Sequence, residues 1–158
     1  MRRPWVLDYD TASCTIGAAV AIIGERPTFL VLREAFNGVR RFEDLQRRTG
    51  VPRQVLSDRL ARLVREGLLR KVPYQESGQR GRFEYRLTDK GLDLYPVLVG
   101  LMQWGDKHAA GPAGPLAMLT HRDCGAPVRL QLSCQAGHVI ESAREVTPLP
   151  GPGARRIA

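Results

Sequence analysis

Four side chains in the C-terminal part of the chain have the donor atoms and spacing of a metal site. His121, Cys124, Cys134 and His138 form the pattern H-x2-C-x9-C-x3-H. Tetrahedral zinc accepts nitrogen and sulfur ligands at such spacings, although the pattern matches no standard zinc-finger signature. A Cys124–Cys134 disulfide, which a reducing cytosol disfavours, and four unrelated residues are the competing interpretations. Zinc is therefore a candidate cofactor that the sequence alone does not select.

A third cysteine, Cys14, stands apart near the start of the chain and could be a reactive thiol. Three cysteines are an odd number, and the N-terminus lacks the apolar core of a signal peptide, so a disulfide framework is not expected. The neighbours Ser13, Thr15 and Ile16 supply no cation that would favour a thiolate, but a helix N-terminus could do so. A buried and unreactive cysteine is the alternative.

A helix with a basic side is predicted over Val51–Arg70, VPRQVLSDRLARLVREGLLR. Pro52 suits the first turn of a helix, and Gly67 can adopt the left-handed conformation that ends one. The apolar residues recur at helical spacing, so the polar residues face away from their stripe and are free to bind a partner. The apolar stripe consists of Leu56, Leu60, Leu63 and Val64, and the polar side contains Gln54, Ser57, Asp58, Ala61, Arg62 and Arg65.

The segments around this helix predict a winged helix-turn-helix. Arg41–Arg48 is a short amphipathic helix followed by a glycine-containing turn, and in this arrangement the second helix enters the major groove of DNA. Strand-like segments follow at Leu68–Tyr74 and Arg82–Leu87, joined by a polar, glycine-rich loop. A hairpin in this position is the wing, whose Arg80 and Arg82 can reach phosphates or the minor groove.

The net charge of +8 is concentrated around the predicted helix-turn-helix. Arg26–Lys90 contains 16 Lys and Arg against 8 Asp and Glu, whereas the rest of the chain contains 8 of each. A concentrated positive charge raises the affinity for a polyanion, most commonly nucleic acid. No apolar run approaches the length that spans a bilayer, so we expect a cytoplasmic protein without membrane contact.

The elements that flank this basic segment carry more apolar surface than one core contact needs. Cys14–Gly24 is rich in small and apolar residues and predicts a short helix buried on more than one side. Arg26–Phe36 predicts a second helix, and Leu92–His108 predicts a terminal helix with an excess of apolar residues. Because such an excess is typically buried in a dimer, two candidate dimer elements are present.

Together these residues resemble the HxlR-type winged-helix transcription regulators of bacteria. The resemblance covers about Cys14–Gly105 and its combination of motifs is specific. It rests on Cys14, RPTFLVLREAFNGVRRFEDLQ from Arg26 to Gln46, VLSDRLARLVREGLL from Val55 to Leu69, FEYRLTDKG from Phe83 to Gly91, Tyr95-Pro96 and Trp104-Gly105.

The resemblance implies a homodimer whose N- and C-terminal helices form the interface. Two recognition helices would then read successive half-sites of a palindromic operator in double-stranded DNA. Some members sense electrophiles or oxidants through a cysteine at the position of Cys14, which makes this residue a candidate redox sensor. Repression is the more usual mode of the family, and a small-molecule effector is a further expected class of signal.

The predicted fold class is mainly α with a small β-hairpin (α+β). A winged helix-turn-helix DNA-binding and dimerisation domain is expected at residues 14–110, after an N-terminal arm at 1–13. A linker at 111–117, rich in glycine and proline, leads to a small β-rich appendage at 118–146 that carries the candidate zinc ligands. A flexible tail at 147–158 completes the chain.

The function that these features favour is sequence-specific DNA binding by a dimeric transcription regulator. Asp58 could accept a hydrogen bond from cytosine or pair with Arg62 along the helix. The residues expected at base edges are Gln54, Ser57, Asp58 and Arg62, and those expected at phosphates or internal partners are Arg53, Arg59 and Arg65, with Arg80 and Arg82 added by the wing.

The sequence disfavours two other classes of function. A winged-helix module that binds proteins without specific DNA binding is disfavoured by the basic excess in Arg26–Lys90. A metal-dependent enzyme is disfavoured because the sequence has no phosphate-binding glycine loop, no nucleophile elbow and no acid–base grouping. We therefore expect a protein that is not an enzyme.

Overall fold

The computed structural model describes residues 10–78 and 80–157. Their contacts divide them into a larger unit, Ala19–Met102, and a smaller unit formed by residues 10–18 together with 103–157. Most of the predicted N-terminal arm, residues 1–9, lies outside the described residues. Within the described residues no single helix is long and apolar enough to cross a membrane, and the first two helices pass that test only as a pair bent by 80°.

The predicted fold class is confirmed: helices and one wing hairpin form an α+β winged helix-turn-helix. The helix predicted at Arg26–Phe36 and the strand predicted at Arg82–Leu87 have the bounds that the sequence indicated. In chain order the elements are α1 Thr15–Ile23, α2 Arg26–Phe36, α3 Phe42–Thr49, α4 Arg53–Arg65, β1 Leu69–Tyr74, β2 Arg82–Leu87, α5 Asp89–Leu92, α6 Tyr95–His108, β3 Leu132–Ser133 and β4 Val139–Ile140, with 3-10 turns at Thr11–Ser13 and Ala143–Glu145.

A leucine stripe on α4 forms the centre of the core. Leu56, Leu60 and Leu63 are almost completely buried and pack in one cluster with residues of α2, α3 and β1. Burial of each such side chain contributes about 1.5–3 kcal/mol to the free energy of folding. The stripe therefore fixes which side of α4 faces inward and leaves the opposite side on the surface.

Glycines in the left-handed conformation end both helices of the helix-turn-helix. Gly50 ends α3 with φ 66°, and Gly67 follows α4 with φ 73°. At the end of α4 the Leu68 N–H donates to the Leu63 carbonyl at 2.9 Å, and the Gly67 N–H donates to the Val64 carbonyl at 3.0 Å. This pair of hydrogen bonds is a Schellman motif, which satisfies carbonyls that the helix end would leave unpaired.

The hairpin of β1 and β2 is attached to the residues that precede α3. The strands pair antiparallel from Leu69 opposite Leu87 to Tyr74 opposite Arg82. Arg41 forms an isolated β-bridge with Glu84, and the Tyr85 N–H donates to the Arg40 carbonyl at 2.8 Å. The predicted wing therefore has a fixed base beside α3.

The segment predicted as one terminal helix, Leu92–His108, is divided into two helices. The Thr88 Oγ1 accepts a hydrogen bond from the Gly91 N–H at 3.1 Å and caps the short α5. Pro96 has no backbone donor, so it occupies the first turn of a separate helix, α6. The expectation that α1 is buried on more than one side is also wrong within this chain, because Ile23 is its only buried residue.

Residues 111–157 of the smaller unit have little regular structure. β3 and β4 form a two-residue antiparallel pair, so the strands of the predicted β-rich appendage are limited to these two short segments among the described residues. The Gln103 side chain of α6 donates to the Val128 carbonyl at 2.9 Å and accepts from the Leu130 N–H at 3.0 Å. None of the described residues 111–157 is buried, so this segment has no core of its own.

A buried carboxylate joins α2 to α3. Glu34 is 3% exposed, and its oxygens lie 2.5 Å from Arg48 Nε and 2.7 Å from Arg33 Nη2. Burial by itself would raise the pKa of Glu34, but the hydrogen bonds and charges of Arg48 and Arg33 outweigh burial and lower it below the ordinary value of 4.5. The carboxylate is therefore held in its charged form.

Substitution Glu34→Gln should lower the free energy of unfolding by about 1–3 kcal/mol at neutral pH, because two guanidinium groups lose a charged acceptor. A lowered folded-state pKa stabilises the fold at pH above the unfolded-state value and loses this effect as the pH falls through the folded-state value. The difference between the two proteins in urea unfolding should therefore shrink below pH 4.5. Asp44→Asn, which removes an exposed carboxylate beside Arg47, is the control and should change stability little. A difference independent of pH would contradict this account.

Candidate nucleic-acid interface

The exposed side of α4 forms a continuous polar surface. At 3.6 residues per turn its exposed residues span an arc of about 140° around the helix axis. The opposite side carries the leucine stripe, so this arc is the part of α4 that a partner can contact. Its residues are Arg53, Gln54, Ser57, Asp58, Ala61 and Arg65.

Local contacts hold several of these side chains in place. The Arg53 guanidinium lies 4.8 Å from the centre of the Phe42 ring, a cation–π contact at the start of α4. Gln54 Nε2 donates to Asp58 Oδ1 at 3.0 Å. Of the two alternatives left open for Asp58, pairing with Arg62 is not seen in the described part of the chain. Asp58 instead forms an amide–carboxylate pair with Gln54 toward one edge of the exposed arc.

Two arginines predicted to contact DNA point elsewhere. Arg62 lies about 110° and Arg59 about 170° from the centre of the exposed arc, because each residue advances about 100° around the helix. Arg59 forms an ion pair with Glu25 at the start of α2. Arg62 Nη2 donates to the Ala21 carbonyl at 2.5 Å, and its Nη1 lies 3.6 Å from Glu25 Oε1. The placement of Arg62 at base edges is thereby corrected, and Arg59 has the internal partner that was its alternative.

The wing presents one unpaired arginine and one that is paired loosely. Arg80 is exposed and has no ion pair within the described ranges 10–78 and 80–157. Arg82 Nη1 lies 3.7 Å from Glu43 Oε1 of α3, and both side chains are more than half exposed. Such a pair is weak in water, so the Arg82 guanidinium can exchange Glu43 for a phosphate.

Arg41 is a structural residue of the wing that sequence reasoning missed. Its Nη1 lies 2.6 Å from Glu76 Oε1, its guanidinium lies 4.6 Å from the centre of the Tyr74 ring, and its Nε lies 3.8 Å from Glu84 Oε1. These contacts tie both strands of the hairpin to the start of α3. The partners are more than 30 residues away in sequence, so no local pattern could have indicated them.

An open cleft of about 360 Å³ lies beside α3 and the base of the wing. Most of its positive charge is compensated, since Arg47 lies 2.6 Å from Asp44 and Arg41 is engaged by carboxylates. The cleft therefore adds little to the positive field of the α4 surface. It is lined by Gly38, Val39, Arg40, Arg41, Asp44, Arg47, Arg48 and Glu84.

The four candidate zinc ligands form two separate pairs. His121 Nδ1 lies 3.3 Å from Cys124 Sγ, and Cys134 Sγ lies 3.5 Å from His138 Nδ1. Two ligands of one tetrahedral zinc ion would be separated by about 3.5 Å, given typical Zn–N and Zn–S bond lengths. Among the described residues, however, no three His, Cys, Asp or Glu side chains come together to hold a metal ion. The zinc site stays a prediction.

Cys14 lies immediately before α1 and is exposed, so the alternative of a buried cysteine is not what the structure shows. Its Sγ accepts a hydrogen bond from the Gly17 N–H in the first turn of α1 at 3.5 Å. A thiol at this place is open to reagents and faces the backbone donors of a helix N-terminus.

The fold, the exposed polar side of α4 and the adjacent hairpin define a winged helix-turn-helix protein of the DNA-binding class. The chain belongs to the HxlR-like helix-turn-helix family, whose sequence model matches residues 22–111. The expected family is thereby confirmed, and it is a family of transcription regulators.

Relatives resemble the chain over most of its length. Rv3095 of Mycobacterium tuberculosis, named an uncharacterized HTH-type transcriptional regulator, is 49% identical over 140 residues, which cover 88% of this chain and 87% of that protein. The crystal structure of PA1607, described as a candidate transcription factor, has a TM-score of 0.77 at 35% identity and covers 89% of this chain and 96% of PA1607. PA1374 of Pseudomonas aeruginosa, also described as a candidate transcription factor, has a TM-score of 0.61 at 32% identity. The match covers 90% of this chain and 95% of the PA1374 chain. Matches of this extent include part of the appendage as well as the winged helix.

Proposed function

We propose that the protein is a dimeric, sequence-specific DNA-binding regulator of transcription that acts as a repressor. The observation that carries this proposal is the exposed polar arc of α4 beside a wing whose Arg80 has no ion pair among the described residues. The major groove of B-DNA admits one α-helix, so α4 can enter it with the exposed arc facing the bases. A basic excess in Arg26–Lys90 supplies the electrostatic attraction that brings such a helix to DNA.

The residues of the arc divide into two roles. Side-chain amides, hydroxyls and carboxylates hydrogen-bond to base edges, so Gln54, Ser57 and Asp58 read sequence. Arginines at the ends of the arc and on the wing neutralise phosphates and set the position of the protein on the duplex. This second group consists of Arg53, Arg65, Arg80 and Arg82.

The proposed dimer uses apolar residues that the single chain leaves in water. Ile16 and Val20 form a one-turn stripe on α1 and are 74% and 57% exposed. On α6, the residues Val97, Leu101 and Trp104 follow one another at helical spacing and are each more than half exposed. Apolar stripes of this kind are buried when two copies associate, and a dimer presents two α4 helices to a palindromic site.

The signal that we propose for this regulator is oxidation or alkylation of Cys14. The exposed thiol precedes α1, which carries part of the proposed dimer surface. A substituent on Sγ would displace the Gly17 N–H contact and disturb the start of α1. Because α1 forms part of the proposed dimer surface, a change at its start would alter the dimer and thereby the affinity for DNA. A small-molecule effector is the alternative signal.

Removal of a reading residue and of a wing arginine should have different effects on DNA binding. For an operator selected from random duplexes by the unmodified protein, Gln54→Ala should weaken binding by about five- to 150-fold and should leave binding to random DNA nearly unchanged. Arg80→Ala should weaken both and reduce the slope of log affinity against log salt by about one. Arg144→Ala, with the same charge change in the smaller unit, is the control. Similar losses from all three variants would contradict the proposed roles, and absence of duplex binding would favour a protein-interaction module.

The dimer can be tested with a charge placed on the α6 stripe. Leu101→Glu should convert the protein from a dimer to a monomer of 17.6 kDa in sedimentation equilibrium, because a charged group would be buried without a partner. The matched control, Leu149→Glu, changes a residue that is 79% exposed and should leave the dimer intact. A monomeric unmodified protein, or a dimeric Leu101→Glu variant, would exclude this interface.

The sensor role of Cys14 predicts a change in operator affinity on treatment with diamide or N-ethylmaleimide. Coupling of ordinary size would lower the affinity about five- to 150-fold, and Cys14→Ser should abolish the response. Cys124→Ser and Cys134→Ser are the controls and should respond like the unmodified protein. A response that persists in Cys14→Ser would assign the signal to another residue.

A further inference from the structure

The corner between α1 and α2 holds an acidic side chain that contacts the recognition helix. Glu25 follows Gly24 in the two-residue connection between α1 and α2, and its side chain forms no cap for α2. Its carboxylate instead pairs with Arg59 and lies 3.6 Å from Arg62 Nη1, both on α4. One carboxylate therefore engages two arginines that are one helical turn apart.

The same corner fixes the end of α1 to α4. Arg62 Nη2 donates to the Ala21 carbonyl, one of the last carbonyls of α1, where a positive charge is favourable. The corner itself is tight, because the Gly24 N–H donates to the Val20 carbonyl at 2.7 Å. A Cβ on Gly24 would lie 2.5 Å from that oxygen, so only glycine fits. A rigid corner is a firm support for the α4 side chains that reach it.

The orientation of Arg59 depends on Glu25. The Arg59 side chain is 21% exposed, and its Nε is buried without a hydrogen-bond partner in the described part of the chain. A buried N–H without a partner costs free energy, so hydrogen bonds to Nε do not fix the Arg59 guanidinium in this position. The ion pair with Glu25 is the contact that holds it there. Loss of the Glu25 carboxylate would leave this side chain without the contact that orients it.

We propose that Glu25 is a positioning residue for DNA recognition, which holds the Arg59 and Arg62 side chains at the α1–α2 corner and thereby keeps Arg62 out of the exposed arc of α4. The inference rests on the proposed function, because it concerns how the exposed arc is presented to DNA. In the presence of Glu25, the Arg62 guanidinium is held away from the polar arc, so it does not interfere with the residues that read bases.

Arg62 is the side chain whose release would matter most. Asp58 lies at the edge of the exposed arc, and Arg62 lies about 40° beyond it around the helix. Without Glu25 its guanidinium can turn toward Asp58 or toward a phosphate. Either movement disturbs the residues that read sequence, and the second adds a contact that any DNA can accept.

The test compares specific and non-specific affinity in Glu25→Gln, with a selected operator and a random duplex as probes at one salt concentration. The ratio of the two affinities should fall about three- to tenfold, as expected from the loss of two partly exposed ion pairs. Non-specific affinity should rise slightly, because the released Arg62 guanidinium can then bind a phosphate of any duplex. A purely structural role would lower the folded fraction and weaken both affinities equally, so it would leave the ratio unchanged.

Two further variants complete the test. Asp93→Asn removes the charge of an exposed carboxylate that has no ion pair among the described residues, and it should leave the ratio unchanged. The double variant Glu25→Gln with Arg62→Gln should lose the rise in non-specific affinity, because the released guanidinium is absent. A Glu25→Gln ratio equal to that of the unmodified protein or of Asp93→Asn would overturn the inference alone. Failure of the unmodified protein to select any operator would overturn the proposed function and this inference with it.

Discussion

The buried leucine stripe of α4 is the constraint on which the rest of the structure depends. Truncation of Leu56, Leu60 or Leu63 to alanine would lower the free energy of unfolding by about 2–5 kcal/mol each. Because these side chains must stay in the core, they largely set the rotation of α4. With the stripe inward, the helical period places one arc of polar residues outward. The turn before α4, the Schellman motif after it and the wing beside it all keep that arc accessible.

Two carboxylates at opposite ends of α2 connect this helix to its neighbours in different ways. Glu34 is buried, receives several charge-assisted hydrogen bonds and holds α3 against α2. Glu25 is half exposed and engages Arg59 and Arg62 of α4, so it contributes less to stability and more to orientation. α2 thus supports both helices of the helix-turn-helix, one through a buried ion pair and the other through an exposed one.

The smaller unit differs from the larger one in the contacts that define its structure. Its residues 111–157 contain no buried side chain, whereas the larger unit has a contiguous leucine and valine core. Local hydrogen bonds define its chain path, such as those of the Gln103 amide with Val128 and Leu130. Leu116, Met118 and Leu149 remain exposed to water within a single chain. Most of the stabilisation from apolar burial therefore comes from the winged helix.

The sequence by itself determined the class of fold, the leucine stripe, the glycine that ends α4 and the wing, because helical period, strand alternation and glycine conformation are local properties of the chain. The tertiary structure decided which polar side chains are available. Arg62 faces the α1–α2 corner, Arg41 holds the wing, and the His and Cys pairs of the appendage stay separate. These outcomes depend on partners tens of residues away or on how the His121–Cys124 and Cys134–His138 pairs lie relative to each other. The spacing of residues along the sequence contains neither kind of information.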